Sequence, residues 1–371
     1  MVGQISRRLA EWGHEVHVAT GRPAGSRAEE MLAGVHVHRF KIEGGGMVKP
    51  RGDIRGYLGF VRSRPWDVVV MHCAQAWGTD LLLPHMSELR SAVVFVGHGL
   101  LTLDEPLHAA YWSWFAASLQ RVDVSTTLSP LLQETQFCAR YNLPRPRVIP
   151  NGVDTSEWAT PPLGIRRQWN IGRFPWILNV SNHTPVKAHA NYFSVIDRVS
   201  RAIPTVRGTI VGNSHRAHKW RVGRLGVKGG CWYQCQLQAR QDAHVDLRSN
   251  VARVDVVSAI KEADVLVLTS PRAREGSPIV ILEAMAAGIP WLSFGAGCAR
   301  EHTGGLIVSD LDEMVEKLHL LLGDQQFRHS LGHAGQRRIM EKHSWDAVGR
   351  QYERLYRDVV AGRASAVTQN R

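Results

Sequence analysis

Residues 269–294 read TSPRAREGSPIVILEAMAAGIPWLSF, and they set the frame for the rest of the chain. An apolar run ends at Ser270, so a buried strand stops there. Ser277 stands where a helix N-cap belongs, Pro278 suits the first helical position, and Gly288 suits the C-terminal stop. The spacing predicts a short helix over 278–287, followed by a strand at PWLSF, 290–294. Strand, loop, helix and strand in this order form a parallel crossover unit. The N-terminus of such a helix points out at the strand ends. Its unpaired N–H groups and partial positive charge suit a phosphate. Glu275 lies in the loop before the helix. Glu283 lies inside it, roughly 7–8 Å along the axis from Pro278 at 1.5 Å per residue. Two carboxylates so placed are expected to grip separate hydroxyl-bearing parts of one elongated ligand.

Outward from this unit the same alternation repeats. Strand-like runs occur at EVHVA (15–19), VHVHRF (35–40), WDVVVMH (66–72), AVVFVGH (92–98), RVDVSTTL (121–128) and RVIP (147–150). A second series follows a Pro/Gly-rich passage near 161–175: PWILNVS (175–181), VRGTIVG (206–212), ADVLVLTS (263–270), PWLSF (290–294) and GGLIVS (304–309). Helical stretches separate most of them, which argues for two α/β domains of the doubly wound, Rossmann-like type. The Asn151-Gly152 turn marks the boundary. The expected domains are 1–155 with 346–371, and 156–345. Open parallel sheets bind ligands at the carboxyl ends of their strands, so a central cleft is expected. From about 311 onward the pattern is helical. Asp310 and Glu313 read as a capping-box variant, which also accounts for the metal-site look of Asp310-Leu311-Asp312.

Composition narrows the function classes. The chain has 371 residues, 44% of them apolar and 21% charged, which excludes disorder, collagen and coiled coil as overall descriptions. The net charge of +12 favours a phosphorylated or polyanionic partner, or an anionic membrane face. Five scattered cysteines suggest a reducing compartment rather than a disulfide framework. Cys231 and Cys235 form a C-x3-C pair whose spacing fits neither the usual zinc knuckle nor a redox motif, so no metal is expected. The opening MVGQISRRLAEWGHEV carries charges where a signal core would sit. The longest apolar stretch, 278–294, is interrupted by Glu283, Gly288 and Pro290. A cytoplasmic protein is expected, with peripheral contact at the inner membrane face as an option.

EGSPIVILEAMAAGIP, with Glu275 and Glu283 separated by seven residues, resembles the E-x7-E signature of family 4 retaining glycosyltransferases. The resemblance covers nearly the whole chain. RRLAEWGHEVHVAT (7–20) resembles the family's first helix and second strand, and VIPNGVD (148–154) its interdomain turn. VSNHTPVKAH (180–189) resembles its phosphate-binding loop, and HSWDAVGRQYERLY (343–356) its final helix, which crosses back onto the first domain. This implies the two-Rossmann GT-B fold, a UDP- or GDP-sugar as co-substrate, and no metal or other cofactor. By the same resemblance Glu283 holds the donor ribose and Glu275 the sugar ring. Lys187 neutralises the diphosphate, with Asn182, Gly276, Ser277, Pro278 and Ile279 lining the donor. His98, in the GHG turn at 97–99, sits near the transferred sugar. The implied reaction is sugar transfer with retained anomeric configuration to a saccharide, lipid or small aglycone. A front-face route is the usual assignment and leaves no protein nucleophile to name. The alternatives are a nucleotide-sugar epimerase or phosphorylase-like enzyme on the same fold, and a non-catalytic binding protein.

The chain departs from the family in three places. Asn182 stands where an Arg usually pairs with the Lys, so Lys187, the helix N-terminus, Arg272 or Arg274, or a protonated His183 would carry the compensation. Ala188 replaces the usual glycine, which reads as a mild change. The chain opens at the first helix, without the strand and Gly-rich turn that normally precede it. The true start is therefore expected upstream, and the first sheet is expected to carry open hydrogen-bonding edges. Residues 213–250, basic with Trp220, Trp232 and Tyr233, read as a helix and loop between two strands rather than a nucleic-acid surface. Gly223, Gly226 and Gly229 follow no strand directly and are no dinucleotide fingerprint. Tyr111, Trp112, Trp114 and Phe115 are expected in the core.

Overall fold

The computed structural model describes all residues except 101, 214–219, 223–226, 272–274, 370 and 371, and leaves aside the side chains of 220–222, 227–229 and 366–369. The chain forms two compact units, Met1–Asn151 with Trp345–Arg371, and Gly152–Ser344.

The second unit is built on a six-stranded parallel sheet. Its spatial order is Val245–Arg248, Arg207–Val211, Trp176–Val180, Val265–Leu268, Trp291–Ser293 and Gly305–Ile307. The central strands are mostly apolar on both faces because helices cover both. Trp176, Ile177, Leu178, Val265, Leu266, Val267, Trp291 and Leu292 are all fully buried. The strand Val245–Arg248 lacks the apolar run that marks its neighbours, and only its position beside Arg207–Val211 makes it a strand. Between them the basic segment supplies the hairpin Trp220–Val222 and Val227–Gly229 and the helix Cys231–Gln241.

In the first unit two parallel arrays carry the strands. One has the order Val16–Gly21, Val35–Phe40, Glu29–Leu32, and the other Val68–His72, Ala92–Val96, Val124–Thr127, Arg147–Val148. Glu29–Leu32 runs antiparallel to its neighbour. Val16–Gly21 and Val68–His72 each pair on one side only among the described residues. Most of their residues are half-buried, whereas every residue of Ala92–Val96 is buried. The hairpin Ile42–Gly45 and Val48–Gly52 has no alternating apolar pattern, and its turn is made by glycines at positive φ. Tyr111, Trp112 and Phe115 lie in the core, as expected, while Trp114 is 38% exposed.

The last helix, Trp345–Gln369, belongs to the first unit. Val348, Tyr352 and Leu355 pack with Ile5 and Leu9 of the helix Val2–Glu11 and with Val94. Arg8 Nε donates to Asp346 Oδ1 at 2.6 Å, and the Arg350 guanidinium lies 3.6 Å over the Trp12 ring. In the second unit the helix Leu311–Gly323 opens as expected. Asp310 Oδ1 accepts from the Glu313 N–H at 2.9 Å, and Glu313 Oε2 accepts from the Ser309 N–H at 2.7 Å.

Candidate functional site

Two loops leave the carboxyl ends of adjacent strands, 176–180 and 265–268, and bring a cation and an anion together. The first loop, 181–188, ends in a single turn, Pro185–Lys187, before the helix His189–Ala202. The second runs from Thr269 to Pro278 and feeds the helix Ile279–Ala287. Lys187 Nζ forms an ion pair with Glu275 Oε1, and both side chains are mostly buried, 23% and 12% exposed. Ser270 Oγ donates to the same Glu275 oxygen at 2.7 Å, and Thr269 Oγ1 donates to the Lys187 carbonyl at 2.9 Å. Each loop thus holds the other's charged residue. Arg272 and Arg274 lie outside the described residues.

Backbone contacts fix the first loop closely. The Ser181 N–H donates to the Val211 carbonyl at 2.9 Å and the His183 N–H to the Asn213 carbonyl at 3.0 Å. Asn182 Oδ1 accepts from the Asn213 N–H at 3.2 Å, so this side chain anchors the loop to the neighbouring strand end. Gly212 approaches so closely that a Cβ there would lie 1.9 Å from the Ser181 carbonyl oxygen. Ala188 adopts φ +47 and ψ +48, the left-handed region, which costs an alanine about 1 kcal/mol relative to glycine. The Ala-for-Gly difference is therefore not mild; the turn before the 189–202 helix needs that conformation.

The second loop is packed as tightly. A Cβ on Gly297, which has φ +56, would lie 1.7 Å from the Gly276 carbonyl oxygen. The Cys298 N–H donates to that oxygen at 3.0 Å. The helix begins one residue later than the sequence suggests: Pro278 is the N-cap and makes no side-chain cap bond. The Ser277 hydroxyl hydrogen-bonds the Cys298 thiol instead of capping the helix. Gly288 closes the helix at φ +73, as expected. Ile279 is 42% exposed at the helix start, where first-turn N–H groups lack intrahelical acceptors.

Glu283 lies on the buried face of this helix, 8% exposed, and Arg253 Nη1 pairs with its Oε1 at 2.7 Å. Burial pushes the Glu283 carboxyl above the usual carboxylate range, and the Arg253 charge opposes that rise. Arg253 also holds Glu157 Oε2 at 2.8 Å. Sequence reasoning missed Arg253, which is a lone arginine opening the helix Arg253–Glu262 and carries no motif.

His98 lies in the first unit, just past the strand Ala92–Val96. The GHG turn is gripped by Glu134, whose Oε1 accepts from the Gly99 N–H at 2.5 Å, and whose side chain leaves no room for a Cβ on Gly97. His98 Nε2 lies 3.2 Å from His72 Nδ1. Burial lowers the His98 pKa to about 4 and the His72 pKa to about 3, so both rings are neutral at pH 7. Glu134 and His72 had no distinguishing spacing in the sequence.

His183 does not lie on the surface beside the donor loop. It is 2% exposed, with its ring against Trp232 and Cys231. His189 is equally buried, and one ring nitrogen of each histidine clusters with the Cys231 and Cys235 sulfurs. The C-x3-C spacing places both thiols on one face of the 231–241 helix, and the two histidines arrive more than 40 residues earlier, His183 from the loop and His189 from the start of the helix that follows it. A rule based on knuckle spacing does not see such a group.

Comparison with known proteins completes the picture. Residues 1–157 match the family model described as Glycosyltransferase Family 4, and residues 175–324 match Glycosyl transferases group 1. A GDP-mannose-dependent monoacylated alpha-(1-6)-phosphatidylinositol monomannoside mannosyltransferase of Corynebacterium glutamicum is 26% identical over 265 residues, covering 65% of this chain and 66% of that protein. Sucrose-phosphate synthase from Thermosynechococcus elongatus superposes with a TM-score of 0.78 at 18% identity, over 97% of this chain and 93% of that one. Anabaena Alr3699/HepE, solved with UDP and glucose, gives 0.73 at 16% identity, over 96% and 95%. These two structures share the GT-B fold with this chain. No helix among the described residues is long and apolar enough to cross a membrane.

Proposed function

The chain belongs to glycosyltransferase family 4, and on that premise we propose that it moves a sugar from a UDP- or GDP-linked donor to an acceptor hydroxyl with retention of anomeric configuration. The observation that carries this reading is the Lys187–Glu275 pair at the carboxyl ends of adjacent parallel strands, beside the start of the 279–287 helix. A diphosphate entering there competes with Glu275 for Lys187. Its charge is met by the Lys187 ammonium and by the first-turn N–H groups of the helix. Glu275 then turns to the sugar hydroxyls and keeps the Ser270 bond, so its charge is not stranded. Glu283 serves the ribose hydroxyls from inside the helix, held in place by Arg253. Asn182, Gly276, Ser277, Pro278 and Ile279 form the backbone and polar lining. No divalent ion or other cofactor is given a role in this step.

In the transfer, the bond from the anomeric carbon to the diphosphate oxygen breaks as the acceptor oxygen bonds to the same face. The acceptor proton passes to the departing phosphate oxygen. No protein nucleophile is assigned. His98, in the first unit, is neutral and serves as a hydrogen-bonding partner for the sugar or acceptor. The named specificity of the Corynebacterium relative supports GDP-mannose as the first donor to test, and the HepE complex with UDP and glucose supports a UDP-linked sugar as the second. Acceptors of the saccharide, lipid or small aglycone class fit this reading. The net charge of +12 favours an anionic one, or contact with an anionic membrane surface.

The test is thermal stability with UDP, GDP, ADP and their sugar derivatives. A ligand at 100 times its Kd stabilises by about 2.7 kcal/mol. A shift with one nucleotide series, lost in Lys187→Ala, is expected. Proton NMR of the glycoside formed should show the anomeric configuration of the donor. No shift with any nucleotide, or an inverted product, overturns the proposal.

A further inference from the structure

We propose that His183, His189, Cys231 and Cys235 form a tetrahedral zinc site that fastens the loop carrying Lys187 to the helix Cys231–Gln241. Cys231 Sγ lies 3.9 Å from Cys235 Sγ, 3.5 Å from His189 Nδ1 and 4.0 Å from His183 Nδ1, and Cys235 Sγ lies 3.6 Å from His189 Nδ1. A zinc ion with Zn–S near 2.3 Å and Zn–N near 2.05 Å has tetrahedral edges of about 3.8 Å between sulfurs and about 3.6 Å between sulfur and nitrogen. Four of the six edges stand within about 0.4 Å of these values, and all four donor atoms lie within 4.8 Å of one another. Thiol–imidazole hydrogen bonds are too weak to favour gathering four soft donors in the interior, whereas a zinc ion uses all four.

The surroundings fix the donor atoms in the way a metal needs. Ser181 Oγ donates to Asn179 Oδ1 at 2.7 Å, so it accepts from His189 Nε2–H at 2.8 Å. That bond leaves the His189 Nδ1 lone pair facing both sulfurs, which is the tautomer a ligand requires. Asn179 is fixed in turn by its donation to the Val267 carbonyl at 2.9 Å. His183 is 2% exposed, and its Nε2 is buried without a hydrogen-bond partner. Its Nδ1, 4.0 Å from Cys231 Sγ, is therefore the ring nitrogen placed to act as a ligand. A surface hollow of about 440 Å³ lined by Pro185, Ala188, His189, Cys231 and Cys235 gives an ion a route in.

The two histidines bracket Lys187, so a metal bond at each end shortens the free span of the loop to residues 184–188. The link to donor binding rests on the function proposed above; the metal site itself does not. The experiment therefore reads metal and loop without any donor. The full chain, purified without a metal-affinity step, is measured by inductively coupled plasma mass spectrometry as isolated and after one equivalent of zinc. About one zinc per chain is expected, and Cys231→Ser with Cys235→Ser should lose it. To separate loss of metal from loss of fold, the wild type is also stripped with a chelator and loaded with cobalt. Tetrahedral thiolate coordination gives intense visible d–d bands and a sulfur-to-metal charge-transfer band. Hydrogen exchange of the 183–189 amides should slow by about ten-fold on zinc loading. Absence of stoichiometric zinc, zinc retained in the double variant, or a pale octahedral cobalt spectrum overturns the site. Unchanged exchange on loading overturns the fastening of the loop.

Discussion

Gly212→Ala isolates the positioning of the donor loop from its chemistry. The substituted residue touches no proposed ligand, and its backbone angles suit any residue, so the perturbation is purely steric. An added Cβ would lie 1.9 Å from the Ser181 carbonyl oxygen, 2.7 Å from its carbon and 3.2 Å from the Asn182 Cα. Ordinary contact lies near 3.4 Å, so the loop must retreat by roughly 1.5 Å. The obstacle is the Ser181–Asn182 backbone, with no flexible side-chain end to yield. The bonds from Ser181 N to Val211 O and from His183 N to Asn213 O must lengthen in the process. Overpacking of this kind costs about 1–3 kcal/mol, and a shift near 1 Å at positioning residues costs about 10²-fold in turnover. Urea unfolding gives the first quantity, and kcat/KM with the donor identified by thermal shift gives the second. Gly59→Ala is the control, since a Cβ there meets nothing within 4 Å inside the helix Ile54–Arg62. If Gly212→Ala unfolds within 0.5 kcal/mol of wild type and turns over normally, the close approach of loop and strand is wrong.

Arg253→Ala leaves the Glu283 carboxylate buried without its cation, and a loss of about 1–3 kcal/mol is expected after allowing for the 45% exposure of Arg253. Adding Glu283→Gln should recover part of that loss, because the buried charge is gone; a double variant whose cost equals the sum of the two single ones refutes the pairing. In Arg253→Ala the burial-raised Glu283 pKa adds stability at acidic pH, which is lost as pH rises through that raised value. His98 behaves oppositely. Its pKa of about 4 lies below the unfolded value near 6.5, so its contribution is intact above 6.5 and is lost as pH falls towards 4. This is on the order of 3 kcal/mol, read as a falling urea midpoint that His98→Asn makes shallower. An acid limb of kcat/KM near 6.5 that disappears in His98→Asn contradicts a neutral buried ring. Ala188→Gly should raise stability by about 0.5–1 kcal/mol by relieving the left-handed alanine, and a loss on unfolding in urea would contradict that conformation.

Most of the fold is legible because the central strands are buried on both faces and announce themselves as apolar runs. WILNV, VLVL and AVVFV need no periodicity to be read. The strands that escape are those whose partners define them. VDLR at 245–248 is half-polar, and the 42–52 hairpin turns on glycines that read as loop. The site divides similarly. Glu275, Glu283 and Lys187 stand in motifs, so a spacing finds them. Arg253, Glu134 and His72 act only through contacts made across the fold, and one sequence holds no mark of those. The Ser277 cap fails by one residue because its hydroxyl bonds the Cys298 thiol. The four soft ligands are invisible to spacing because helix geometry, not a knuckle turn, sets the separation of the two thiols.

The assignment of Trp345–Gln369 to the first unit has a consequence for how the protein is made. Residues 152–344 are an uninterrupted segment inserted into the first unit, whose core needs Val348, Tyr352 and Leu355. As the chain leaves the ribosome, the middle unit has all its contacts in hand before the first does. Synthesis order and completion order are therefore reversed. Residues 1–151 must wait as a half-covered sheet until the helix Trp345–Gln369 emerges, and that interval is when holding chaperones matter most to this chain.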